Sequence, residues 1–343
     1  MQIGIIFGGV SWEHEISIVS AITLKKVLGQ KVNSFIFLDK FHHFYEIPLE
    51  SMKASFFAEQ SYKKCKILQL DNQGFYTSSV FGKKYLPTNL FINLIHGGDG
   101  EDGTLASLLE FYHQNFIGPR VEASVLSFNK HYTKLFAQSR GVKMLPFQTL
   151  SQKDQRKLAL EFPVIIKPSR LGSSIGVSIA NNQDEFDYAL DCAFEYDTEV
   201  LIEPFVKGVK EYNLAGYKAN DFVFSILEEP KKQDLLNFEN KYLDFSRDEK
   251  TQSATIDSVL FETMKKYFQK IYDNCFEGSL IRCDFFVIDQ EVYLNEINPI
   301  PGSMANYLFD DFPQAIEELS QHLPKKKPIL INYEYIQKIQ KAK

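Results

Sequence analysis

The chain has 343 residues, more than one ordinary hydrophobic core fills, so two or three domains are expected. Hydrophobic residues make up 44% and charged residues 24%, a globular balance that excludes disordered and fibrous classes. A net charge of −6 argues against nonspecific nucleic-acid binding, which needs a basic face to displace counterions, while leaving room for a local basic pocket, and no nucleic-acid partner is expected.

Ile3 to Phe7 reads as a short buried strand and Gly8-Gly9 as a turn. A helix follows from Ile16 to Leu28, with apolar residues at helical spacing and Gly29 as its stop. This start has no basic n-region and no long apolar h-region, so a signal peptide is not expected. No stretch approaches the roughly 20 apolar residues that span a bilayer. A cytoplasmic protein without a membrane partner is therefore expected. Val32 to Leu38 is a second strand. Cys65, Cys192, Cys275 and Cys283 form no C-x-x-C pair and have no histidines at zinc spacing, so they read as reduced thiols. The apolar run Leu90 to Ile95 ends in His96-Gly97-Gly98-Asp99-Gly100-Glu101-Asp102-Gly103, and a helix runs from Thr104 to Phe111. Strands alternating with helices predict a parallel-sheet domain over 1–120, with ligand loops at the strand C-ends.

The middle of the chain, 121–206, reads as a helix near Lys130 to Gly141, a strand Phe162 to Lys167, a Gly/Ser loop Pro168 to Gly176, a helix Asp184 to Tyr196 and a strand Glu199 to Phe205. The last third, 207–330, reads as antiparallel β structure. Glu211 to Tyr217 pairs with Phe222 to Leu227 across a polar turn. The long polar stretch between Glu228 and Gln252 is a candidate lid. A helix from Asp257 to Phe276 precedes two strands, Leu280 to Ile288 and Glu291 to Glu296, joined by Asp289-Gln290. Lys325 to Lys327 reads as part of a solvated linker, and 331–343 as a basic tail. The fold class is α/β, becoming α+β in the C-terminal part.

The chemistry concentrates on that last hairpin. Asp284 lies on one strand, and Glu296 and Asn298 lie two apart at the end of the next, so all three can share a face. Two carboxylates and an amide oxygen are an incomplete set of hard ligands, which suits Mg²⁺ completed by water and phosphate. Arg282, two residues before Asp284, can stabilise developing negative charge. In Lys167-Pro168-Ser169-Arg170-Leu171-Gly172-Ser173-Ser174-Ile175-Gly176, a strand-end lysine and a loop rich in backbone N–H groups suit phosphate, although the loop is not a Walker A sequence. Glu13 and Glu15, after Gly8-Gly9, either favour a helix N-terminus or bind a substrate ammonium. His96 alone reads as an ordinary loop histidine.

Six motifs in order resemble the D-alanine–D-alanine ligase family of the ATP-grasp superfamily over roughly residues 1–320. They are Gly-Gly-x-Ser-x-Glu-x-Glu, His-Gly-x-x-Gly-Glu-Asp-Gly, Lys-Pro-Ser-Arg-x-Gly-Ser-Ser-x-Gly, Glu-Val-Leu-Ile-Glu, Arg-x-Asp and Asn-Glu-Ile-Asn-x-x-Pro-Gly. The resemblance implies a three-domain ATP-grasp architecture with ATP between the second and third domains. It implies ligation of two D-alanines through a D-alanyl phosphate, giving ADP and phosphate, for peptidoglycan precursors. Glu203 matches the adenine-binding position and Glu211 the ribose-binding one. Lys130, Lys167 and Lys241 match lysines at phosphate or the second substrate, and Ser174 joins Ser173 in the phosphate loop. Asp284, Glu296 and Asn298 match the ligands of two Mg²⁺ ions, with Mn²⁺ as a substitute. Arg282 and the Gly302 backbone match the oxyanion-stabilising groups. Glu13 matches the acceptor of the first D-alanine's ammonium, in a triad with Ser173 and Tyr242. His96 falls among the substrate-binding positions. A homodimer is the family expectation.

Tyr307 and Leu308 depart from the pattern, since the family commonly has a serine at position 307 to hold the second carboxylate. A larger phenol there implies a tighter or rearranged second site. The retained Lys241-Tyr242 pair favours an amine acceptor over D-lactate. A nucleotide-binding sensor without turnover is the reading from another class, and the retained metal ligands with Arg282 weigh against it.

Overall fold

The computed structural model describes residues 2–230 and 252–341. Its first sheet has the order β6-β5-β4-β3-β2-β1-β7-β8. The strands are β1 (Ile3–Gly8), β2 (Val32–Leu38), β3 (Phe44–Ile47), β4 (Lys66–Asp71), β5 (Gly74–Ser79), β6 (Gly82–Tyr85), β7 (Leu90–Asn93) and β8 (Phe116–Ile117). Neighbours among β2, β1, β7 and β8 pair in parallel, as strand–helix alternation predicts. The rest is an antiparallel meander, so the sheet is mixed rather than wholly parallel. The meander strands are short and mostly polar on one side (β6 is Gly-Lys-Lys-Tyr), which gives little periodicity to read. β1 is buried along its whole length, the expected state of a central parallel strand.

The second sheet, β11-β10-β12-β9, is antiparallel and consists of β9 (Gln148–Ser151), β10 (Val164–Pro168), β11 (Ser178–Ala180) and β12 (Glu199–Pro204). The third, β14-β13-β15-β16, consists of β13 (Lys210–Lys218), β14 (Phe222–Glu228), β15 (Ile281–Ile288) and β16 (Glu291–Asn298). Both hairpins expected in the last third form; β13, β14 and β16 are a residue or two longer than expected, and β15 starts one residue later.

The helices are α1 (His14–Leu28), α2 (Ala54–Ala58), α3 (Thr104–Phe111), α4 (Val121–Phe128), α5 (Lys130–Ser139), α6 (Gln183–Phe194), α7 (Ser258–Tyr272), α8 (Phe312–Gln321) and α9 (Glu334–Lys341). Among the described residues no helix is long and apolar enough to cross a membrane. α6 covers the second sheet through Phe186, Ala189, Leu190 and Ala193. α7 covers the third through Met264, Phe268 and Ile271, together with Ala123 of α4 and Ala137 of α5. The end of the chain returns to the first sheet. Met304, Leu308, Phe312 and Ile316 join the core of Ile3, Ile5, Leu24 and Leu28. This packing carries the Pro299 to Met304 loop across to α1. The cysteines are unbonded; Cys283 is buried and the other three are half-buried.

Candidate active site

The acidic hairpin has the geometry its spacing implies. β15 and β16 pair with Asp284 opposite Glu296 and Arg282 opposite Asn298. Arg282 forks onto Asp284, Nε to Oδ1 at 2.7 Å and a terminal nitrogen to Oδ2 at 2.8 Å. Asn298 Nδ2 donates to Asp284 Oδ2 at 3.0 Å. Asp284 is buried, and that burial pushes its carboxyl up despite the Arg282 charge beside it. Burial disfavours charge on Arg282 too, but Asp284 outweighs it and holds the guanidinium well above its ordinary value. Asp284 Oδ2 accepts from two protein donors and Oδ1 from one, so Oδ1 keeps a lone pair for a cation. Among the described residues no cluster of three or more His, Cys, Asp or Glu is arranged to hold a metal. A cation here therefore draws on Asn298 and on ligand oxygens besides Asp284 and Glu296. That incomplete hard-oxygen set fits Mg²⁺ or Mn²⁺.

A second cluster is buried between the second and third sheets. Lys167, near the end of β10, donates to Glu203 Oε2 at 2.8 Å, and Lys134 of α5 donates to Glu203 Oε1 at 2.5 Å. Glu203 and Lys134 are both nearly inaccessible. Burial alone would raise the Glu203 carboxyl, but Lys167 and then Lys134 outweigh it and hold it at about 2. Burial pushes the Lys134 ammonium down. Burial also opposes charge on Lys167, yet Glu203, Glu296 and Glu211 together hold it above its ordinary value. Glu211, at the start of β13, thus faces the same space. Lys167 also lies 3.4 Å from Asn295 Oδ1 on β16, joining the two sheets. Lys134 was not anticipated. Its only sequence signal is its place four residues after Lys130 on a helix, which ordinarily reads as a solvated lysine.

The Gly/Ser loop closes onto the first sheet. The Ser173 hydroxyl donates to a carboxylate oxygen of Glu13. Ser173 and Ser174 adopt left-handed backbone, φ 57° and 58°. A Cβ at Gly172 would lie 3.0 Å from both Glu13 carboxylate oxygens, so that backbone comes as close to Glu13 as only glycine allows without displacement. Lys130, at the start of α5, donates to the Leu171 carbonyl at 2.7 Å and fixes the loop from below. Glu13 is buried, and its carboxyl is raised by that burial and by Glu101, against the pull of Ser173, His96 and Lys130.

The glycine-dense loop after β7 lies beside the loop after β1, because those strands are parallel neighbours. A Cβ at Gly100 would stand 1.8 Å from the Ile95 carbonyl oxygen, which accounts for glycine there. His96 is buried, and burial pushes its imidazole down. Glu101 is pushed up to about 8, first by burial, with Glu296 and Asp102 adding to it. His96 Nδ1 and Glu101 Oε1 approach to 3.8 Å. Both shifts disfavour charge, so burial works against an ion pair between them. On its other side His96 Nε2 meets Ser20 Oγ at 3.0 Å, and Ser20 Oγ accepts from the Ser303 backbone N–H at 3.0 Å. Ser20 and Glu101 were not singled out as site residues. Glu101 was visible inside its motif, whereas Ser20 is a lone serine on a helix and carries no signal.

Gly302 opens a 3₁₀ segment, Gly302–Leu308, whose residues Ser303, Met304 and Ala305 have φ of 47°, 53° and 50°. Leu308 is packed in the core, so a substrate contact at that position falls to its backbone. Tyr307 keeps its ring edge open and turns its hydroxyl inward, donating to Glu228 Oε2 at 3.2 Å. Asn213 donates to the same oxygen at 3.0 Å. Burial pushes the phenol up to about 12, so it stays a neutral donor. Lys241, Tyr242 and nearly all of the 228–252 stretch lie outside the described residues.

Comparison with known proteins agrees with this geometry. A family model described as D-ala D-ala ligase N-terminus matches residues 2–119, and one described as D-ala D-ala ligase C-terminus matches residues 136–319. The chain is 57% identical to a D-alanine--D-alanine ligase of Wolinella succinogenes, over 100% of this chain and 99% of the relative. It is 55% identical to one of Helicobacter hepaticus, with the same coverage. The crystal structure of a D-alanine-D-alanine ligase from Helicobacter pylori superposes with a TM-score of 0.85 at 52% identity, covering 95% of this chain and 100% of that one.

Proposed function

The chain belongs to the D-alanine–D-alanine ligase family, and from that premise we propose how its own residues carry the ATP-dependent joining of two D-alanines for peptidoglycan precursors. The first D-alanine's carboxylate attacks the γ-phosphate of ATP and becomes an acyl phosphate. The second D-alanine's amine, deprotonated, then attacks the acyl carbon, and the dipeptide, ADP and phosphate leave.

Glu13 accepts the first ammonium, held in place by Ser173 and, in this reading, Tyr242. Lys130, Lys167 and Lys241, with the Ser173–Ser174 backbone, bind the phosphates, while Glu203 and Glu211 line the nucleoside end. Glu203 reaches a base while still bound to Lys134 and Lys167, through its free lone pairs. Asp284, Glu296 and Asn298 would hold two Mg²⁺ ions, or Mn²⁺, whose charge would offset that of the transferring phosphoryl group. Arg282 and the Gly302 N–H stabilise the tetrahedral oxyanion, a contribution of about 2.7–4 kcal/mol per donor. Three of the five guanidinium N–H groups are left over from the fork onto Asp284. His96 and the 302–308 segment, with Tyr307 and Leu308, border the second D-alanine. The acyl phosphate is water-sensitive, so the Ser173 loop and the 228–252 stretch act as lids.

The observation that carries this reading is geometric. The Ser173 hydroxyl, on the loop after β10, donates to Glu13 after β1, and Lys167 of β10 reaches Asn295 on β16 at 3.4 Å. Groups from all three sheets therefore share one cleft. Three domains, 1–120, 121–206 and 207–330, followed by the tail 331–343, are supported by one sheet falling in each. A cytoplasmic homodimer completes the proposal, since peptidoglycan precursors and ATP meet in that compartment and C₂ dimers are the commonest soluble assembly.

The test is phosphate release with Mg-ATP and D-alanine, run in parallel with L-alanine and D-lactate. D-alanine-dependent release, with D-alanyl-D-alanine in the product, supports the assignment. Release driven by another acceptor would overturn the substrate, and nucleotide binding without any release would overturn turnover itself. A chelator should bring release to background, and added Mg²⁺ or Mn²⁺ should restore it.

A further inference from the structure

Residues 325–343 differ in chemistry from the rest of the chain. They carry six lysines against one glutamate, while the whole chain has a net charge of −6. Every residue from Pro324 to Lys341 is exposed. The exposed side chains include large apolar ones, Ile329, Leu330 and Ile331 in the extended part and Tyr335, Ile336 and Ile339 on α9, each between 55% and 87% accessible. The helical period places Tyr335, Ile336 and Ile339 on one face of α9, and Lys338 and Lys341 off it. Lys326 is tied to Glu110 at the end of α3 at 2.5 Å, which roots the segment on the first domain.

We propose that this segment docks the enzyme on an anionic phospholipid surface. A short basic amphipathic helix lies in the plane of an interface, with its apolar face at the headgroup–acyl boundary and its lysines among the phosphates. Stable peripheral attachment takes two weak signals together, and here the apolar stripe and the Lys325–Lys327 run supply them. A second copy of the chain fits this face less well. A two-fold pairing would bring like-charged lysines together. Nucleic acid would engage the lysines but leave the isoleucines in water. The expectation that the protein has no membrane partner is thereby narrowed: the segment lies on a bilayer and does not span it.

The experiment is co-sedimentation of the full chain with phosphatidylcholine vesicles, with and without phosphatidylglycerol. The protein should pellet only with the anionic vesicles, and the bound fraction should fall in high salt. Replacing the lysine run (Lys325→Gln, Lys326→Gln, Lys327→Gln) should weaken partitioning on the order of a hundredfold, about fivefold for each lysine. Ile336→Ser with Ile339→Ser should also release the protein, while turnover without vesicles stays at the parent level in both variants. No pelleting, equal pelleting with neutral vesicles, or binding indifferent to the isoleucine changes would overturn the proposal. So would a dimer that dissociates in the isoleucine variant, because it would assign the face to a second copy.

Discussion

Glu203 is held between two lysines and is almost wholly buried, and this arrangement makes Lys134 a structural partner as well as a neighbour of the proposed nucleotide site. Removing one partner of a buried pair strands charge in a low-dielectric environment. Lys134→Met should therefore lower stability by about 3 kcal/mol in denaturant unfolding and raise KM for ATP more than it lowers kcat. An unchanged midpoint would mean that Lys167 alone satisfies Glu203. Glu101 makes a prediction of opposite electrostatic sense. Its carboxyl is raised from 4.5 to about 8, so between those values the folded protein binds more protons than the unfolded chain. Its contribution to stability is then full below about pH 4.5 and is lost as pH rises toward 8. Glu101→Gln removes that titration, and its melting temperature should fall less than the parent's across this window. Parallel curves would refute the assignment.

At the level of elements, the Gly/Ser loop depends on a missing side chain. With both Glu13 oxygens 3.0 Å from where a Cβ would stand, Gly172→Ala must displace either the loop or the carboxylate. Overpacking of this kind costs about 1–3 kcal/mol. The loss should appear chiefly as a raised KM for the first D-alanine, read from D-alanine titrations at saturating ATP. An ATP-only effect would place Glu13 elsewhere in the reaction. The β15–β16 hairpin was legible because alternation, a two-residue turn and polar residues in apolar strands all point the same way. The β3–β6 meander was not, because its strands are short, half-exposed and mixed in polarity. α8 is absent from the sequence reading although its pattern is local: Phe312, Ala315, Ile316 and Leu319 recur at helical spacing behind the N-cap Asp311. What no local window contains is its partner, the first sheet and α1, roughly 200 to 310 residues earlier in the chain.

Over the whole molecule, the site exists only because the chain end returns to its beginning. Ser20 of α1 receives the Ser303 N–H, next to Gly302, and touches His96. Ser20→Ala should cost about 1–3 kcal/mol by leaving a buried N–H unpaired. It should lower turnover with little change in KM for ATP, since it loosens the 302–308 segment and not the lysine cluster; kinetics with ATP varied at fixed D-alanine would separate the two. The sequence by itself determined which groups the cleft holds, because Asp284, Glu296 and Asn298 on one hairpin, Lys167 at a strand end and the glycines beneath close backbone approaches are identities that spacing along one strand or turn already reveals. Tertiary structure alone decided that Lys134 is a buried partner of Glu203, that Ser20 bridges two distant loops, that Leu308 belongs to the core and that Tyr307 turns its hydroxyl to Glu228. Each of these depends on what a side chain meets across tens or hundreds of residues, and local pattern carries no record of that partner.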